Sequence, residues 1–184
     1  MFKSGFIALA GRPNVGKSTL LNAIVGEKLA ITSRKPQTTR NRITGILNRD
    51  DGQFIFLDTP GIHDARTPLN RSMVKAAVSA FGEVDLILLL VEADRGYDPG
   101  DGLILDRLQA VAVPVFLVIN KIDLVEKPKL LPLIDRFRGL RDFREIVPVS
   151  AATGDGVGLL LERIRDAMPE GPKLFPDDLF TDQS

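Results

Sequence analysis

The chain has 184 residues, 44% of them hydrophobic, which fits one compact domain with a proper core. Its 24 basic residues balance 24 acidic residues, so it lacks the overall positive field that is typical of a nucleic-acid-binding surface. Because the chain has no cysteine, disulfides and thiol chemistry are excluded. The first apolar run is too short for a signal peptide or a membrane span, so we expect a cytoplasmic protein.

Strands and helices are predicted to alternate along the chain. Short apolar runs that end at Gly, Asp, Asn or Ser predict buried strands at residues 6–10, 54–57, 85–91, 113–119 and 146–149. Helices are predicted between them, at residues 17–25, about 69–81, about 102–112, about 127–140 and 157–168. This order indicates an α/β fold with a mainly parallel sheet, and such sheets bind ligands beyond the carboxyl ends of their strands.

Two segments do not fit the alternation. The polar stretch from residue 27 to about 42 is longer than an ordinary connection, so we expect a mobile functional loop. After Met168 the chain becomes rich in proline and acidic residues. We therefore expect a domain at residues 1–170 and a linker at 171–184.

Residues 11–18 match the phosphate-binding pattern G-x-x-x-x-G-K-[ST] between a predicted strand and a predicted helix. The glycines let backbone N–H groups converge on phosphates, and the helix that follows presents its positive end to the same anion. Lys17 would reach the outer phosphates and Ser18 would bind Mg²⁺. The alternative is a glycine-rich turn with a surface lysine. The predicted phosphate-contacting residues are Gly11, Arg12, Pro13, Asn14, Val15, Gly16, Lys17, Ser18 and Thr19.

The segment Asp58-Thr59-Pro60-Gly61 follows the second predicted strand. Asp58 could hold the magnesium shell, directly or through water, and the Gly61 N–H could reach the terminal phosphate. By turn chemistry alone the segment could equally be structural. Its position after the phosphate-binding pattern favours a phosphate sensor.

Asn120-Lys121-Ile122-Asp123 follows another predicted strand and indicates guanine. The Asp123 carboxylate can accept two N–H bonds from guanine, whereas adenine has no matching pair of donors. Asn120 would hold the surrounding loops, and the Lys121 stem could lie over the purine, unless the motif only caps a helix. Ser150-Ala151-Ala152 follows the last strand, where Ala151 could donate its N–H to the guanine carbonyl.

These motifs, in this order, resemble the translation-factor-related branch of small GTPases over almost the whole chain. Segments 11–18, 36–43, 58–63 and 176–182 together are similar to the Era family of bacterial ribosome-assembly GTPases, although the last segment departs from the usual linker of that family. The resemblance implies a P-loop NTPase fold: a mixed, mostly parallel six-stranded sheet with helices on both faces.

The resemblance also implies partners beyond GTP, GDP and Mg²⁺. A KH domain would follow this chain and bind 16S rRNA in the small ribosomal subunit. The isolated domain would be monomeric, and the full-length protein could associate peripherally with membranes. By alignment Thr39 would be a magnesium ligand, with Thr38 as the alternative. The basic residues of this loop could touch RNA or a partner, or could simply be solvated: Arg34, Lys35, Arg40 and Arg42.

Many small GTPases place a glutamine after the Asp-x-x-Gly turn to orient the attacking water, but Ile62 stands there. We therefore expect slow hydrolysis that depends on Lys17, Ser18, Thr39, Gly61 and magnesium, with His63 as a bystander. By resemblance, Asn14 could hold a K⁺ ion between the phosphates, or it could stabilise the loop. The competing functions are a small-molecule kinase, a non-hydrolysing GDP-binding module, and a tandem ribosome-assembly or tRNA-modification GTPase.

Overall fold

The computed structural model describes residues 1–25, 42–58 and 83–176, without the side chains of Arg42 and Asp58. Within these ranges, short 3-10 turns lie at Ile122–Leu124 and Lys127–Lys129. The described strands and helices, numbered in chain order, are β1 (Lys3–Gly11), α1 (Lys17–Val25), β2 (Arg42–Arg49), β3 (Gly52–Asp58), β4 (Leu86–Glu92), α2 (Pro99–Leu108), β5 (Val115–Asn120), α3 (Leu130–Arg138), β6 (Glu145–Pro148) and α4 (Val157–Ala167).

The strands form one six-stranded sheet in the order β2-β3-β1-β4-β5-β6. All neighbouring strands are parallel except β2 and β3, which form an antiparallel pair. The mixed, mostly parallel sheet that the resemblance implied is therefore confirmed. Because β1, β3, β4, β5 and β6 run in the same direction, their carboxyl ends lie at one edge of the sheet.

Strand β2 is the strand that the apolar runs did not predict. It lies at the edge of the sheet and pairs only with β3, so a continuous apolar sequence is not required. Ile46 is buried while Asn48 and Arg49 are exposed, and the register shifts between Ile43 and Gly45. This irregular pattern carries too weak a period for sequence reasoning to detect.

Helices cover both faces of the sheet, as the resemblance implied. On one face, alternate strand residues such as Leu89 and Leu117 pack with Ile104 of α2 and Phe137 of α3. On the other face, strand residues including Leu88 and Phe116 pack in one cluster with Leu20 of α1 and Leu160 of α4. The central strands read as continuous apolar runs because both of their faces are buried.

Helix α2 begins and ends earlier than the predicted helix at residues 102–112. Asp98 caps it: its Oδ1 accepts the Gly100 N–H at 2.7 Å, and Asp101 Oδ2 accepts the Asp98 N–H at 3.0 Å. Pro99 at the first helical position strengthens this start, because proline there loses no helical hydrogen bond. The Asp-Pro-Gly-Asp sequence is a capping signal that places the start of the helix before residue 102.

The other predicted helices have different outcomes. Residues 17–25 and 157–168 are helical as predicted, apart from the last residue of the second segment. The segment predicted at 127–140 starts as a 3-10 turn before α3, where two prolines, Pro128 and Pro132, stand in the first turns. The predicted helix at 69–81 and nearly all of the predicted loop at 27–42 lie outside the described residues. No helix in the described ranges is both long enough and apolar enough to cross a membrane.

The described start of the predicted linker packs against the domain. The Gly171 N–H donates to the Phe2 carbonyl at 3.1 Å, and Ser4 Oγ donates to the Pro172 carbonyl at 2.7 Å. Phe175 then meets the ring of Phe6 edge-on, with 6.5 Å between the ring centroids. Residues 171–176 therefore form a docked strap at the edge of the sheet opposite the strand carboxyl ends.

Gln53 on β3 holds this strap. Its fully buried Oε1 accepts the N–H groups of Leu174 and Phe175 at 2.9 and 3.0 Å, and its Nε2 donates to the Phe175 carbonyl at 2.8 Å. Nε2 also donates to Asn48 Oδ1 at 2.7 Å. The side chain thus satisfies its own hydrogen-bonding groups and those of the strap.

We predict that Gln53→Ala lowers the free energy of unfolding by about 1–3 kcal/mol, because it removes these hydrogen bonds from a buried site. The amide hydrogens of Leu174 and Phe175 should also exchange faster. Urea denaturation and hydrogen exchange measure the two effects. The control is Gln109→Ala, an exposed glutamine, which should stay within about 0.5 kcal/mol of the parent. Unchanged stability and unchanged exchange in Gln53→Ala would contradict this role.

Candidate functional site

Three of the predicted motifs follow strands whose carboxyl ends share one edge of the sheet. The phosphate loop (residues 11–18) follows β1, the base loop (residues 120–123) starts at the end of β5, and the third loop (residues 150–152) follows β6. Since β1, β4, β5 and β6 are parallel neighbours in that order, the three loops open on the same side of the molecule. Asp58 ends β3 at this edge as well, and its Cα pairs with that of Leu9.

The phosphate loop curls tightly before α1 begins at Lys17. Asn14 has a φ of 68° and Gly16 a φ of 100°, both in the left-handed region that non-glycine residues rarely adopt. Asparagine tolerates this conformation better than most side chains. Lys17 Nζ donates to the Gly11 carbonyl at 3.1 Å, which folds the lysine back over the loop, while Ser18 stays exposed.

Asn120 connects all three loops. Its side chain is almost fully buried, and Nδ2 donates to the Val15 carbonyl of the phosphate loop at 2.9 Å. Its Oδ1 accepts the Ala151 N–H of the third loop at 3.0 Å. The Asn120 carbonyl also accepts the Ala93 N–H at 2.8 Å, so both the backbone and the side chain of this residue are used. One carboxamide therefore sets the relative positions of the three loops.

The base loop presents an exposed carboxylate. Asp123 is exposed, and Ser150 Oγ donates to its Oδ1 at 2.9 Å, which orients the carboxylate. Lys121 Nζ donates to the Asn14 carbonyl at 2.9 Å, so the lysine stem extends from the base loop to the phosphate loop. An oriented, solvent-facing carboxylate beside a curled phosphate loop is what recognition of a guanine nucleotide requires.

The third loop differs in one respect from the sequence expectation. Ala151 was expected to donate its N–H to a guanine carbonyl, but in the structure that N–H donates to Asn120. The physical reason is that the buried Asn120 carboxamide needs a donor for its oxygen, and Ala151 is the neighbouring backbone group. A guanine carbonyl would have to share or replace this bond. Ala152 is exposed beside it.

The Arg12 side chain, which belongs to the predicted phosphate-binding segment, pairs with carboxylates of the protein. It is nearly buried, and Arg12 Nε donates to Asp101 Oδ1 at 2.7 Å. Burial raises the pKa of Asp101 above its ordinary value, against the opposing effect of Arg12. Burial also acts to lower the pKa of Arg12, but the hydrogen bond and charge of Asp101 outweigh it and raise that pKa. At 2.7 Å the two groups form a buried, hydrogen-bonded ion pair.

Sequence reasoning missed the acidic partners of this arginine. Asp98 Oδ1 lies 3.8 Å from Arg12 Nε, and Glu92 Oε1 lies 3.4 Å from Arg12 Nη1. Glu92 is the residue directly after the predicted strand at 85–91, so the rule that polar groups follow apolar runs could have identified it. Asp98 and Asp101 could have been identified from the capping sequence of α2.

Several predicted site residues lie outside the described part of the chain. They are Thr39 and its alternative Thr38, the basic loop residues Arg34, Lys35 and Arg40, and Gly61, Ile62 and His63. For Asp58 and Arg42 only the backbone is described. Their predicted roles therefore stay predictions.

The described residues fit the groups that the motifs imply. At Gly16 of the phosphate loop a Cβ atom would overlap Asn120 Nδ2, so this position requires glycine. The exposed Ser18 hydroxyl supplies a hard oxygen donor, the kind of ligand that Mg²⁺ prefers, and the backbone of Asp58 ends β3 at the same edge. This fold and this arrangement of loops define a P-loop nucleotide-binding domain of the GTPase class.

A family model described as 50S ribosome-binding GTPase matches residues 6–121, which is more than half of the chain. The chain belongs to this GTPase family. It is also 58% identical over 184 residues to a protein called GTPase Era from Syntrophus aciditrophicus (strain SB), a match that covers 100% of this chain and 60% of that protein. This chain therefore spans about three fifths of the length of that relative.

Solved structures of Era superpose on the whole chain. One is a complex of Era with MgGDPNP and nucleotides 1506–1542 of 16S ribosomal RNA, at 41% identity and a TM-score of 0.81 over 100% of this chain and 63% of that one. Another is an Aquifex aeolicus Era variant bound to GDP·AlF4⁻, at 40% identity and a TM-score of 0.79 with the same coverage. These matches confirm the resemblance to the Era family.

We predict that Gly16→Ala abolishes measurable GDP binding, since a Cβ there overlaps Asn120 and the backbone has a positive φ. The matched control is Gly154→Ala, because Gly154 also has a positive φ, 87°, yet a Cβ there meets nothing within 4 Å. This control should lose about 1 kcal/mol of stability from backbone strain alone and keep GDP binding. Calorimetry with GDP and thermal unfolding separate the two variants. Tight GDP binding by a folded Gly16→Ala variant would refute the assignment.

Proposed function

We propose that this chain is the GTP-binding and GTP-hydrolysing domain of an Era-type GTPase that acts in ribosome assembly. The observation that carries the proposal is the junction at Asn120. Its carboxamide joins the phosphate loop at Val15 to the third loop at Ala151, beside the exposed carboxylate of Asp123. A loop for phosphates and a carboxylate for guanine are thereby held in one rigid unit.

Guanine would be selected by the carboxylate. Asp123 would accept N–H bonds from N1 and the exocyclic amino group of guanine, and Ser150 would hold one of its oxygens in place. Adenine would leave the carboxylate without donors, which costs about 1–3 kcal/mol for a polar group and more for a charged one. The aliphatic stem of Lys121 would lie over the purine while its ammonium stays on the phosphate loop.

The phosphates would be held by the backbone of the phosphate loop and by Lys17. Ser18 and Thr39 would hold a bound Mg²⁺, with Asp58 in its shell. Mg²⁺ in such a site neutralises charge that develops on the phosphate oxygens. The Gly61 N–H would sense the terminal phosphate. These groups would position the phosphates and neutralise the charge on their oxygens, which would be the main contributions to catalysis.

Hydrolysis by this domain alone would be slow, because Ile62 cannot orient a water molecule. A K⁺ ion beside Asn14 would add positive charge where other GTPases insert an arginine. The Asn14 side chain is exposed in the phosphate loop, which is compatible with this role. A comparison of turnover in potassium and sodium buffers distinguishes this role from loop stabilisation.

The competing functions have less support. A kinase for small metabolites has no use for the oriented Asp123 carboxylate. A tandem ribosome-assembly GTPase or a tRNA-modification GTPase shares the loops, but the relatives that match the entire chain are called GTPase Era. A non-hydrolysing GDP-binding module differs only in turnover. Release of phosphate from GTP above the buffer rate would exclude such a module, and release at the buffer rate would favour it.

The ribosomal partner would be the small subunit. The Era structure that superposes on the whole chain contains 16S ribosomal RNA, and this chain covers 63% of that protein. The formal net charge of zero suits a domain whose RNA contacts lie in another part of a longer protein, such as a KH domain after residue 184. We further propose that the domain is monomeric and cytoplasmic, and that any peripheral membrane contact belongs to the longer protein.

The base assignment predicts a change of specificity in Asp123→Asn. Guanine nucleotides should bind at least about tenfold more weakly, and xanthine nucleotides should gain, because the asparagine amide can donate to the extra carbonyl of xanthine. Calorimetry with GDP, GTP, ATP and XDP, with and without Mg²⁺, measures this. Asp135→Asn, which changes a carboxylate on the exposed face of α3, is the control that should keep the parental preference. If XDP did not gain on GDP, Asp123 would not be the base-recognising residue.

The ribosomal assignment predicts that the longer protein, loaded with a non-hydrolysable GTP analogue, sediments with isolated small subunits. This chain alone should bind them weakly, since it carries no net positive charge to pair with RNA phosphates. The family description names the 50S particle, so large subunits are the necessary comparison. Exclusive sedimentation with large subunits would overturn the small-subunit assignment and leave the GTPase assignment in place.

A further inference from the structure

Glu92, the last residue of β4, lies at the same edge as the nucleotide loops but belongs to none of the motifs. Its side chain is 4% exposed. One oxygen, Oε2, lies 2.9 Å from Lys121 Nζ of the base loop, and the other, Oε1, lies 3.4 Å from Arg12 Nη1 of the phosphate loop. A single buried carboxylate therefore pairs with one cation from each loop that would grip a nucleotide. Its Oε2 also lies 3.6 Å from Nε of Arg95, whose side chain is exposed.

Arg12 and Lys121 depend on Glu92 to different extents. Arg12 is also held by Asp101 at 2.7 Å and by Asp98 at 3.8 Å, so it has carboxylate partners on α2 and its cap that do not involve Glu92. Lys121 pairs with no other carboxylate within the described residues, and its remaining contact is the Asn14 carbonyl at 2.9 Å. Loss of Glu92 would therefore release Lys121 more than Arg12.

The backbone at Lys121 supports the same conclusion. Lys121 has a φ of 69° and Asn14 has a φ of 68°. Within the described ranges, these are the non-glycine residues with positive φ. They are joined by the hydrogen bond from Lys121 Nζ to the Asn14 carbonyl. A lysine in the left-handed region is strained, and such strain persists only where surrounding contacts overdetermine the conformation. The ion pair with Glu92 is the charged contact that holds this strained lysine.

We propose that Glu92 is a positioning residue for nucleotide binding, which holds Lys121 extended across the base site before the purine arrives. The proposal rests on the proposed function of the site. A lysine that is free to rotate would have to be ordered when the ligand binds, and that entropy would be lost from the affinity. Glu92 itself touches no nucleotide in this arrangement and acts only through Lys121.

The test is a double-mutant cycle on GDP affinity, measured by calorimetry on the parent chain, Glu92→Ala, Lys121→Ala and the double variant. We expect Glu92→Ala to weaken GDP binding by about three- to tenfold, the range for one side chain that must be immobilised on binding. In the Lys121→Ala background the same change should alter the affinity by less than about twofold, because the residue through which Glu92 acts is gone.

A conservative variant and a matched control separate positioning from stability. Glu92→Gln keeps an oxygen that can accept a hydrogen bond from Lys121, so it should retain part of the affinity that Glu92→Ala loses. If the alanine variant does not fold, Glu92→Gln replaces it in the double-mutant cycle. Asp51→Ala removes another carboxylate that pairs with two cations, Arg165 at 2.6 Å and Arg49 at 3.8 Å, at the opposite edge of the sheet. It should lower the melting temperature and leave GDP affinity unchanged.

The outcomes are distinguishable. If the parent chain does not bind GDP, the proposed function fails. If the parent binds GDP but Glu92→Ala and Lys121→Ala have additive effects, or Glu92→Ala has none, Glu92 is not a positioning residue and the proposed function stands. An equal loss of affinity in Asp51→Ala would show a general effect of stability, and would overturn the inference in the same way.

Discussion

The site depends on one buried carboxamide. Asn120 uses its Nδ2 for the phosphate loop and its Oδ1 for the third loop, while its backbone carbonyl holds Ala93. These bonds lie at the end of β5, where Asn120 is buried and an unpaired polar group would cost free energy. Three loops that are separate in sequence are thus held as one surface. The clash that a Cβ on Gly16 would make with the same carboxamide shows how closely the phosphate loop packs against it.

The charged groups around this junction form a second layer. Arg12 forms ion pairs with Glu92, Asp98 and Asp101. Glu92 also forms an ion pair with Lys121. Buried ion pairs of this kind contribute little to net stability compared with apolar packing, but breaking one partner is costly. Their value here is geometric, because they fix where the phosphate loop and the base loop stand relative to each other and to the N-terminus of α2.

The opposite edge of the sheet has a different task. There Gln53 fastens residues 174 and 175 to β3, and Arg165 of α4 pairs with Asp51 in the turn between β2 and β3. Strand β3 therefore carries the strap near its beginning and ends in Asp58 at the nucleotide edge. Residues 174 and 175 of the strap are thus held by hydrogen bonds to a strand inside the sheet.

The periodicity of the sequence determined the alternation of strands and helices. Short continuous apolar runs such as the one at 85–91 are typical of strands covered on both faces. The motifs at their ends indicated phosphates and guanine, because they contain the residue types that this chemistry needs. Edge strand β2 was not predicted from the apolar runs, because it pairs on one side with β3 alone in the described sheet and its register shifts between Ile43 and Gly45. The early start of α2 is set by the cap that Asp98 and Asp101 make, and hydrophobicity alone does not report this cap.

What only the tertiary structure decided is which polar groups face one another. The sequence could place Arg12 in the phosphate-binding pattern, but its side chain turns to Asp101, 89 residues away along the chain. It could likewise place Ala151 beside the base, but not show that Asn120 accepts its N–H. Local sequence patterns report burial and spacing along the chain. The direction of a side chain depends on partners from distant segments, and those meet only when the strands are ordered in the sheet.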